Sequence, residues 1–225
     1  MDRGRFEYKI VVNQSGLSWV RSLILTHSRA FYARYPERRV NNIYFDTKDF
    51  DCLRANINGS ALRQKVRFRW YGEGTDDIYG NLELKFKNNN LGWKVIEKVS
   101  VPLQLGSMDW SSIVKLLRGN LSGLVRLRFD RACFPAIINR YYREYYETRD
   151  GLFRITLDHS QAVYDQRIYR RPNLSFAIPR SEKAVIELKF SKAALGSIGT
   201  VMDELPFYVT QNSKYASALT GQADI

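Results

Sequence analysis

Four basic side chains occupy every second position of one short apolar segment. Residues 61–72, ALRQKVRFRWYG, place them at Arg63, Lys65, Arg67 and Arg69, with apolar side chains in between. Successive side chains of a β-strand point to opposite faces, so the segment predicts a strand with one apolar and one cationic face. Like charges at this spacing repel each other unless an anion lies against them. The chemistry indicated is therefore the binding of an anion.

The same alternation recurs in other strand-like segments. Their polar faces carry Arg5, Glu7 and Lys9; Glu83, Lys85 and Lys87; Arg154, Thr156 and Asp158; and Glu187 with Lys189. An ordinary antiparallel sheet leaves one face in water, where mixed charges are unremarkable. Here, however, cations outnumber carboxylates and several strands contribute them. If the sheet closes into a barrel with helices outside, the charged face becomes a wet interior that holds an anion.

Composition agrees with a polyanionic partner. The chain has 225 residues, 44% of them hydrophobic, and a net charge of +12. This length supports one core, so we expect a single domain over residues 1–225. The charge favours nucleic acid, phosphate compounds or an anionic membrane surface. Cys52 and Cys133 show neither zinc nor disulfide spacing and are interpreted as reduced thiols of a cytoplasmic protein. No segment has a signal peptide or a membrane span, which predicts a soluble chain.

The order of elements predicts an α+β fold. Strand-like segments begin near residues 5, 41, 61, 81, 93, 136, 152 and 183, and three of them form a meander between residues 61 and 103. Helical spacing follows residue 15 after serines that can cap it, and recurs after Met108 and near residues 197 and 213. An irregular loop with prolines covers residues 171–180.

The ordered segments resemble a known family. RFEYK, IYFDT, KVRFRWYG, LELKFK, YYR, FRITLD, VIELKF and SKY follow one another as in the VTC domain, the polyphosphate polymerase branch of the triphosphate tunnel metalloenzymes. The resemblance covers nearly the whole chain. It implies an eight-stranded antiparallel tunnel barrel with helices outside, which binds ATP and Mn²⁺ or Mg²⁺ and transfers the γ-phosphoryl group to inorganic polyphosphate or pyrophosphate.

The resemblance also implies roles for individual residues. The phosphate-gripping, catalytic set is Lys9, Arg67, Arg69, Lys85, Arg143 and Arg154. Lys98 and Lys214 are further substrate-binding residues, and the cationic strand faces add Arg5, Lys65 and Lys189 to them. The metal-binding carboxylates are Glu187 and Glu7. No protein nucleophile is needed, because a terminal phosphate oxygen of the acceptor attacks.

Three departures from the family pattern matter. Arg5 stands where hydrolytic relatives have the first glutamate of ExExK, which favours a polymerase. In the fourth strand both Lys94 and Lys98 are available, and the distance from VPL favours Lys98. Gln211 replaces a lysine of eukaryotic members. Those members carry membrane domains, so a membrane-protein partner is possible for this chain.

Other functions compete with polymerisation. A triphosphatase or polyphosphatase, or a tunnel that binds polyphosphate without turning it over, uses the same cations, although two-metal hydrolysis needs more carboxylates than Glu7 and Glu187. A nucleic-acid binder needs aromatic and cationic side chains on one face. In residues 61–72 they lie on opposite faces, so we expect no nucleic-acid partner. His27 and His159 have no metal-ligand spacing and are expected to be surface or half-buried residues rather than metal ligands.

Overall fold

The computed structural model describes residues 6–88, 91–179, 182–210 and 215. Within them eight strands and five α-helices follow in order. They are β1 (Phe6–Asn13), α1 (Leu17–Thr26), β2 (Tyr32–Asp46), α2 (Asp51–Ile57), β3 (Leu62–Tyr71), β4 (Ile78–Asn88), β5 (Leu91–Leu103), α3 (Trp110–Gly119), α4 (Gly123–Arg131), β6 (Phe134–Glu147), β7 (Phe153–Asp165), β8 (Lys183–Phe190) and α5 (Ile198–Asp203).

All eight strands form one antiparallel sheet in the order β1-β8-β7-β6-β2-β3-β4-β5. The predicted α+β class, the eight strands and their antiparallel pairing are confirmed. The meander of β3, β4 and β5 is also confirmed. The longest strand, β2, has 15 residues and pairs with both β3 and β6, so it joins the two halves of the sheet.

The predicted closed barrel is wrong. β1 and β5 end the sheet, and no ladder joins them among the described residues. The outer edge of β1 is instead used by Thr210, whose N–H donates to the Lys9 carbonyl oxygen at 2.7 Å. Because this backbone position is occupied, β5 cannot pair there. Side chains nevertheless approach across the gap, since the Lys85 ammonium of β4 lies 3.9 Å from the Glu7 carboxylate of β1. The sheet is therefore strongly curved, with an enclosed concave face.

The helices pack on the convex, apolar face, as predicted. Ile113 of α3 and Phe129 of α4 join the apolar side chains of β3 and β4 in one buried cluster. Ile24 of α1 and Val201 of α5 join those of β1, β7 and β8 in a second cluster. Removing this apolar area from water stabilises the curved sheet and leaves its concave face to polar residues. None of the described helices is both long and apolar enough to cross a membrane.

Two local features differ from the sequence prediction. Gly16 caps α1 and makes no side-chain capping bond, so the expected serine cap is wrong. Helix α2 was not predicted from the sequence; it begins where the buried carboxylate of Asp46 accepts the N–H groups of Cys52 and Leu53 at 2.9 and 3.0 Å. The first N–H groups of a helix have no partner within the helix, and the Asp46 carboxylate supplies hydrogen-bond acceptors for them. The helix predicted near residue 213 lies mostly outside the described residues.

Candidate phosphate-binding site

Strand register gathers the predicted cations on the concave face. Lys9 lies opposite Glu187, Arg67 opposite Glu83, and Lys65 opposite Lys85. Side chains of directly opposite residues point to the same face, so each pair projects into the same space. All eight strands contribute side chains to this concave face. The structure thus brings together residues that lie up to 182 positions apart in sequence, as Glu7 and Lys189 do.

Arg67 lies in the floor of the concave face and is held by one carboxylate. Its Nε donates to Glu83 Oε2 at 2.8 Å, and Nη1 donates to the Tyr44 hydroxyl at 3.3 Å. Burial disfavours the charged forms of Arg67 and Glu83, but the Tyr44 and Glu83 oxygens raise the pKa of Arg67. Arg67 and Arg69 in turn lower the pKa of the Glu83 carboxyl. The guanidinium therefore stays charged and fixed in orientation before any ligand binds.

Arg143 occupies the equivalent position in the other half of the sheet. It makes a bidentate pair with the fully buried Asp158, at 2.5 and 2.6 Å, and its Nη2 lies 3.5 Å from Glu187. Burial would lower the pKa of Arg143, but Asp158 and nearby groups raise it well above its ordinary value. Arg69, between these two arginines in the sheet, donates to the Asn42 side-chain oxygen at 2.8 Å. Three oriented guanidinium groups result.

Lysines crowd the part of the concave face beside Glu7. Burial lowers the pKa of Lys65 well below its ordinary value, and Lys9 and Lys85 lower it further. Burial, partly offset by Glu7, lowers the pKa of Lys85 to about 8. The Lys85 side chain is still 48% exposed, so water reaches this recess. Crowded ammonium groups of this kind favour the arrival of a polyanion.

Two carboxylates lie among these lysines and share them as counter-charges. Lys9 Nζ is 3.3 Å from Glu7 and 4.0 Å from Glu187, while Lys189 Nζ is 3.9 Å from Glu7 and 3.1 Å from Glu187. Burial and the Glu187 charge would raise the pKa of Glu7, but the lysines lower it. Glu7 and Glu187 are therefore close enough to share one cation. Their hard oxygen donors, with phosphate oxygens and water, fit the ligand preference of Mg²⁺ or Mn²⁺.

Comparison with protein families decides the membership of this chain. The VTC domain model matches residues 4–220. The chain belongs to the VTC domain family. This confirms the resemblance seen in the sequence, and VTC domains belong to the tunnel-fold polyphosphate polymerase family. Membership points to a polyphosphate-related function, and it is consistent with nucleotide and polyphosphate substrates.

Comparisons with individual proteins give only distant similarities. No curated protein matches the chain. The PH1819 protein from Pyrococcus horikoshii OT3 is 14% identical with a TM-score of 0.48, and the match covers 96% of this chain and 98% of that one. The Schizosaccharomyces pombe Mediator head module is 10% identical with a TM-score of 0.40, over 90% and 91% of the two chains. At these scores the similarity identifies neither a shared fold nor a shared activity.

The remaining predicted site residues of this VTC domain lie further out. Arg154 is on the concave face but is half-exposed, and it pairs with Glu147. Lys94 and Lys98 lie opposite Lys85 and Asn81, so both share the concave face and both are exposed. The choice of Lys98 over Lys94 is therefore unnecessary. Arg5 and Lys214, like Gln211, lie outside the described residues.

Several polar residues of this VTC domain's concave face were missed as site residues in the sequence. Glu83 and Asp158 hold Arg67 and Arg143, and their positions on polar strand faces were the available signal. The buried side chains of Asn42, Asn139 and Thr156 each keep at least one polar atom without a hydrogen-bond partner. Such buried atoms are costly unless a water or ligand satisfies them. Only strand register, which the sequence does not contain, places them beside the arginines.

Tyrosines also share the cationic face, contrary to the separation seen in residues 61–72. Tyr44 and Tyr141 accept hydrogen bonds from Arg67 and Arg69, and Arg143 lies over the Tyr141 ring. The separation of aromatic and cationic side chains therefore holds for β3 but not for β2 and β6. Both rings are buried, however, and an open stacking platform for nucleic acid needs exposed rings.

A second polar cluster of this VTC domain lies on the convex face, under α1. Glu37, Glu144 and His159 bring ligand atoms within 4.8 Å of one another and could hold a metal ion. His159 Nε2 already lies 2.7 Å from Glu37, and Arg21 makes a bidentate pair with Glu144. The Glu144 bond and the Glu37 contact raise the pKa of His159. His27 and His159 are both buried, so the expectation of a surface or half-buried position is wrong.

Proposed function

We propose that the chain is a polyphosphate polymerase, which transfers the γ-phosphoryl group of ATP to a growing inorganic polyphosphate chain on its concave face. The observation that carries the proposal is the convergence of Arg67, Arg69 and Arg143 with the lysines around Glu7 and Glu187. Family membership supports the same chemistry. As a metal-dependent ATP–polyphosphate phosphotransferase, the protein would act as a single domain over residues 1–225.

The chain's own residues supply positioning and charge. Phosphoryl transfer needs the attacking oxygen, the phosphorus and the leaving oxygen in line, with the charge of the equatorial oxygens neutralised. Arg67 and Arg143 are fixed by Glu83 and Asp158, so their free N–H groups can grip phosphate oxygens without reorganising. Lys9 and Lys85 act as point charges for the remaining phosphates.

A divalent cation would complete the site between Glu7 and Glu187. Mn²⁺ or Mg²⁺ held there would supply positive charge that stabilises the phosphate oxygens during transfer. In its absence Lys9 and Lys189 neutralise the two carboxylates, so both lysines must turn to phosphate oxygens as substrate arrives. Lys65 lies deeper among the cations, where it would contact the phosphate chain. Lys98, Arg154 and Lys189 line the outer parts of the concave face and would guide that chain.

The carboxylates of the concave face favour transfer over hydrolysis. Two-metal hydrolysis needs several carboxylates available to the ions. Glu83 and Asp158 add to Glu7 and Glu187, but each already accepts two hydrogen bonds from an arginine, Arg67 and Arg143 respectively. The second candidate function is therefore a triphosphatase or polyphosphatase, and the third is a protein that binds polyphosphate without reaction. We further propose a cytoplasmic location, with a membrane-protein partner possible.

The test is a primer-extension assay. Purified protein is incubated with ATP, Mn²⁺ and a short polyphosphate primer, and the products are separated on a polyacrylamide gel beside a primer-free control. We expect ADP release and a lengthening ladder. Free phosphate without a ladder would show a hydrolase. Neither product, in protein that binds tripolyphosphate, would show binding alone.

A further inference from the structure

Tyr215 is a buried tyrosine outside the strands that packs against the concave face of the sheet. Only 1% of its surface is exposed, and it belongs to a small buried cluster with Tyr44, Ala136 and Ile137. Its ring stacks on the Tyr44 ring, with 5.1 Å between the ring centroids and an interplanar angle of 13°. Aromatic rings prefer this offset, nearly parallel arrangement. Tyr215 therefore covers one face of the Tyr44 ring.

The Tyr215 hydroxyl is held by a carboxylate at the end of β2. It donates to Asp46 Oδ2 at 2.5 Å, and Asp46 is fully buried. Burial and Asp46 raise the pKa of Tyr215, so the hydroxyl keeps its proton and remains a donor. The same carboxylate accepts N–H groups at the start of α2. Because Tyr215 follows Asp46 by 169 residues, this bond fastens a distant part of the chain to β2 and α2.

Tyr44 in turn holds one donor of Arg67. The two residues lie opposite each other in β2 and β3, and Arg67 Nη1 donates to the Tyr44 hydroxyl at 3.3 Å. Glu83 holds the other side of the guanidinium, because its Oε2 atom accepts from both Nε and Nη2. The Tyr44 hydroxyl thus sets the tilt of the guanidinium plane about that one oxygen. A guanidinium held on both sides loses less entropy when it binds a phosphate.

We propose that Tyr215 is a positioning residue for Arg67, which holds the Tyr44 ring where its hydroxyl accepts from Arg67 and so strengthens the binding of a polyphosphate chain. Without the Tyr215 ring, Tyr44 can turn to another side-chain rotamer and take its hydroxyl away from Arg67. The inference rests on the proposed phosphate site of the concave face. It does not depend on whether that site polymerises, hydrolyses or only binds polyphosphate.

The test measures tripolyphosphate affinity by isothermal titration, well below the melting temperature of every variant. Tyr215→Leu removes the stacking ring but fills most of its volume, and Tyr44→Phe removes the hydroxyl that accepts from Arg67. We expect each change to weaken binding about fivefold. The double variant should show no further loss, because both changes remove the same support of Arg67. Tyr215→Phe keeps the stacked ring and should bind within about twofold of the wild type.

Tyr146→Leu is the matched control. Tyr146 is also a buried tyrosine that donates to a carboxylate, but it lies on the convex face. Its replacement should lower the melting temperature without changing tripolyphosphate affinity.

Three results would overturn the inference. The first is unchanged affinity in Tyr215→Leu, and the second is an equal further loss from Tyr215→Leu in the wild-type and Tyr44→Phe backgrounds. The third is unchanged affinity in Tyr44→Phe, which keeps its buried ring and so tests the link even where Tyr215→Leu does not fold. A wild type that binds no tripolyphosphate would overturn the phosphate site itself, and this inference with it.

Discussion

The Arg67 guanidinium lies on the Glu83 carboxylate of the next strand, with Nε 2.8 Å from Oε2. This pair fixes the direction of the guanidinium but leaves N–H groups for a ligand, as one carboxylate oxygen accepts both Nε and Nη2. Asp158 holds Arg143 in a related way, with its two carboxylate oxygens accepting Nε and Nη2 respectively. Carboxylates thus orient the arginines of the proposed phosphate site and balance their charge.

Removal of Glu83 should destabilise the free protein and increase the stabilisation that a bound polyanion provides. Glu83→Gln leaves Arg67 and Arg69 near each other without their shared counter-charge, which we expect to lower the free energy of unfolding by about 3 kcal/mol. Tripolyphosphate replaces that charge, so it should raise the melting temperature of the variant more than that of the wild type. Thermal unfolding with and without tripolyphosphate measures both effects. Equal ligand-induced shifts would show that Glu83 does not balance these arginines.

Arg67→Ala should reduce activity far more than it reduces stability. We expect kcat/KM for ATP to fall by about 10²–10³, the usual effect of losing one donor to a developing negative charge. Arg118→Ala is the control, because Arg118 forms an exposed pair with Asp130 on the convex side. Steady-state kinetics with a saturating primer would measure both variants. Similar small losses in the two variants would contradict the role of Arg67.

Glu187 should set the metal requirement of the reaction. Glu187→Gln keeps the shape of the side chain but removes its charge, so we expect the Mn²⁺ concentration for half-maximal activity to rise about tenfold or more. Glu73→Gln is the control, because it changes a largely exposed carboxylate near Arg39. It should leave the Mn²⁺ concentration for half-maximal activity unchanged. Activity measured across a Mn²⁺ series gives the comparison. An unchanged requirement in Glu187→Gln would assign the metal to other groups.

Binding of a polyphosphate should be accompanied by proton uptake at alkaline pH. The pKa of Lys85 is lowered to about 8 and that of Lys65 lies well below its ordinary value, so Lys85 is partly neutral in the free protein at pH 8.5. A bound polyanion favours their charged forms, and affinity should therefore fall as pH rises above about 8. Titration calorimetry in buffers with different ionisation enthalpies measures the protons. Lys85→Met should reduce the number of protons taken up. Equal binding enthalpies in all buffers would show that binding takes up no protons and would contradict the prediction.

His159 should make the stability of the protein depend on pH. Its pKa in the folded state is raised by Glu144 and Glu37, while Arg21 of α1 and Tyr142 also face it. A raised pKa contributes stability that is complete below the unfolded value of 6.5 and is lost as pH rises through the folded value. His159→Gln should therefore flatten the decline in melting temperature above pH 6.5. A decline as steep as in the wild type would exclude His159 as its source.

Strand alternation predicted the concave face well but could not predict its pairings. Lys9, Arg67, Lys85 and Glu187 could be assigned to one polar face because each lies in an alternating segment. The Arg143–Asp158 pair depends on the register of β6 and β7, and that register contains an irregularity between Arg140 and Tyr142. A single shift of this kind moves every later side chain relative to its partner.

The openness of the sheet had no local signal. It depends on the backbone contact between Thr210 and Lys9, which lie 201 residues apart. Periodicity reports only which face a side chain takes, so a closed and an open sheet predict the same pattern. The buried donors of Asn42 and Thr156 were missed for a similar reason, because short polar residues in a strand are also common on solvated faces.

The most direct test of the account follows the γ-phosphate itself. ATP radiolabelled in the γ-phosphate is mixed with unlabelled polyphosphate primer, Mn²⁺ and either the wild type, Arg67→Ala or the Arg118→Ala control, and the label is located after separation by chain length. We predict that the wild type and the control place the label in lengthened polyphosphate, and that Arg67→Ala places almost none there. Label found only in free phosphate, or transfer by Arg67→Ala at the wild-type rate, would contradict a polymerase built on this concave face.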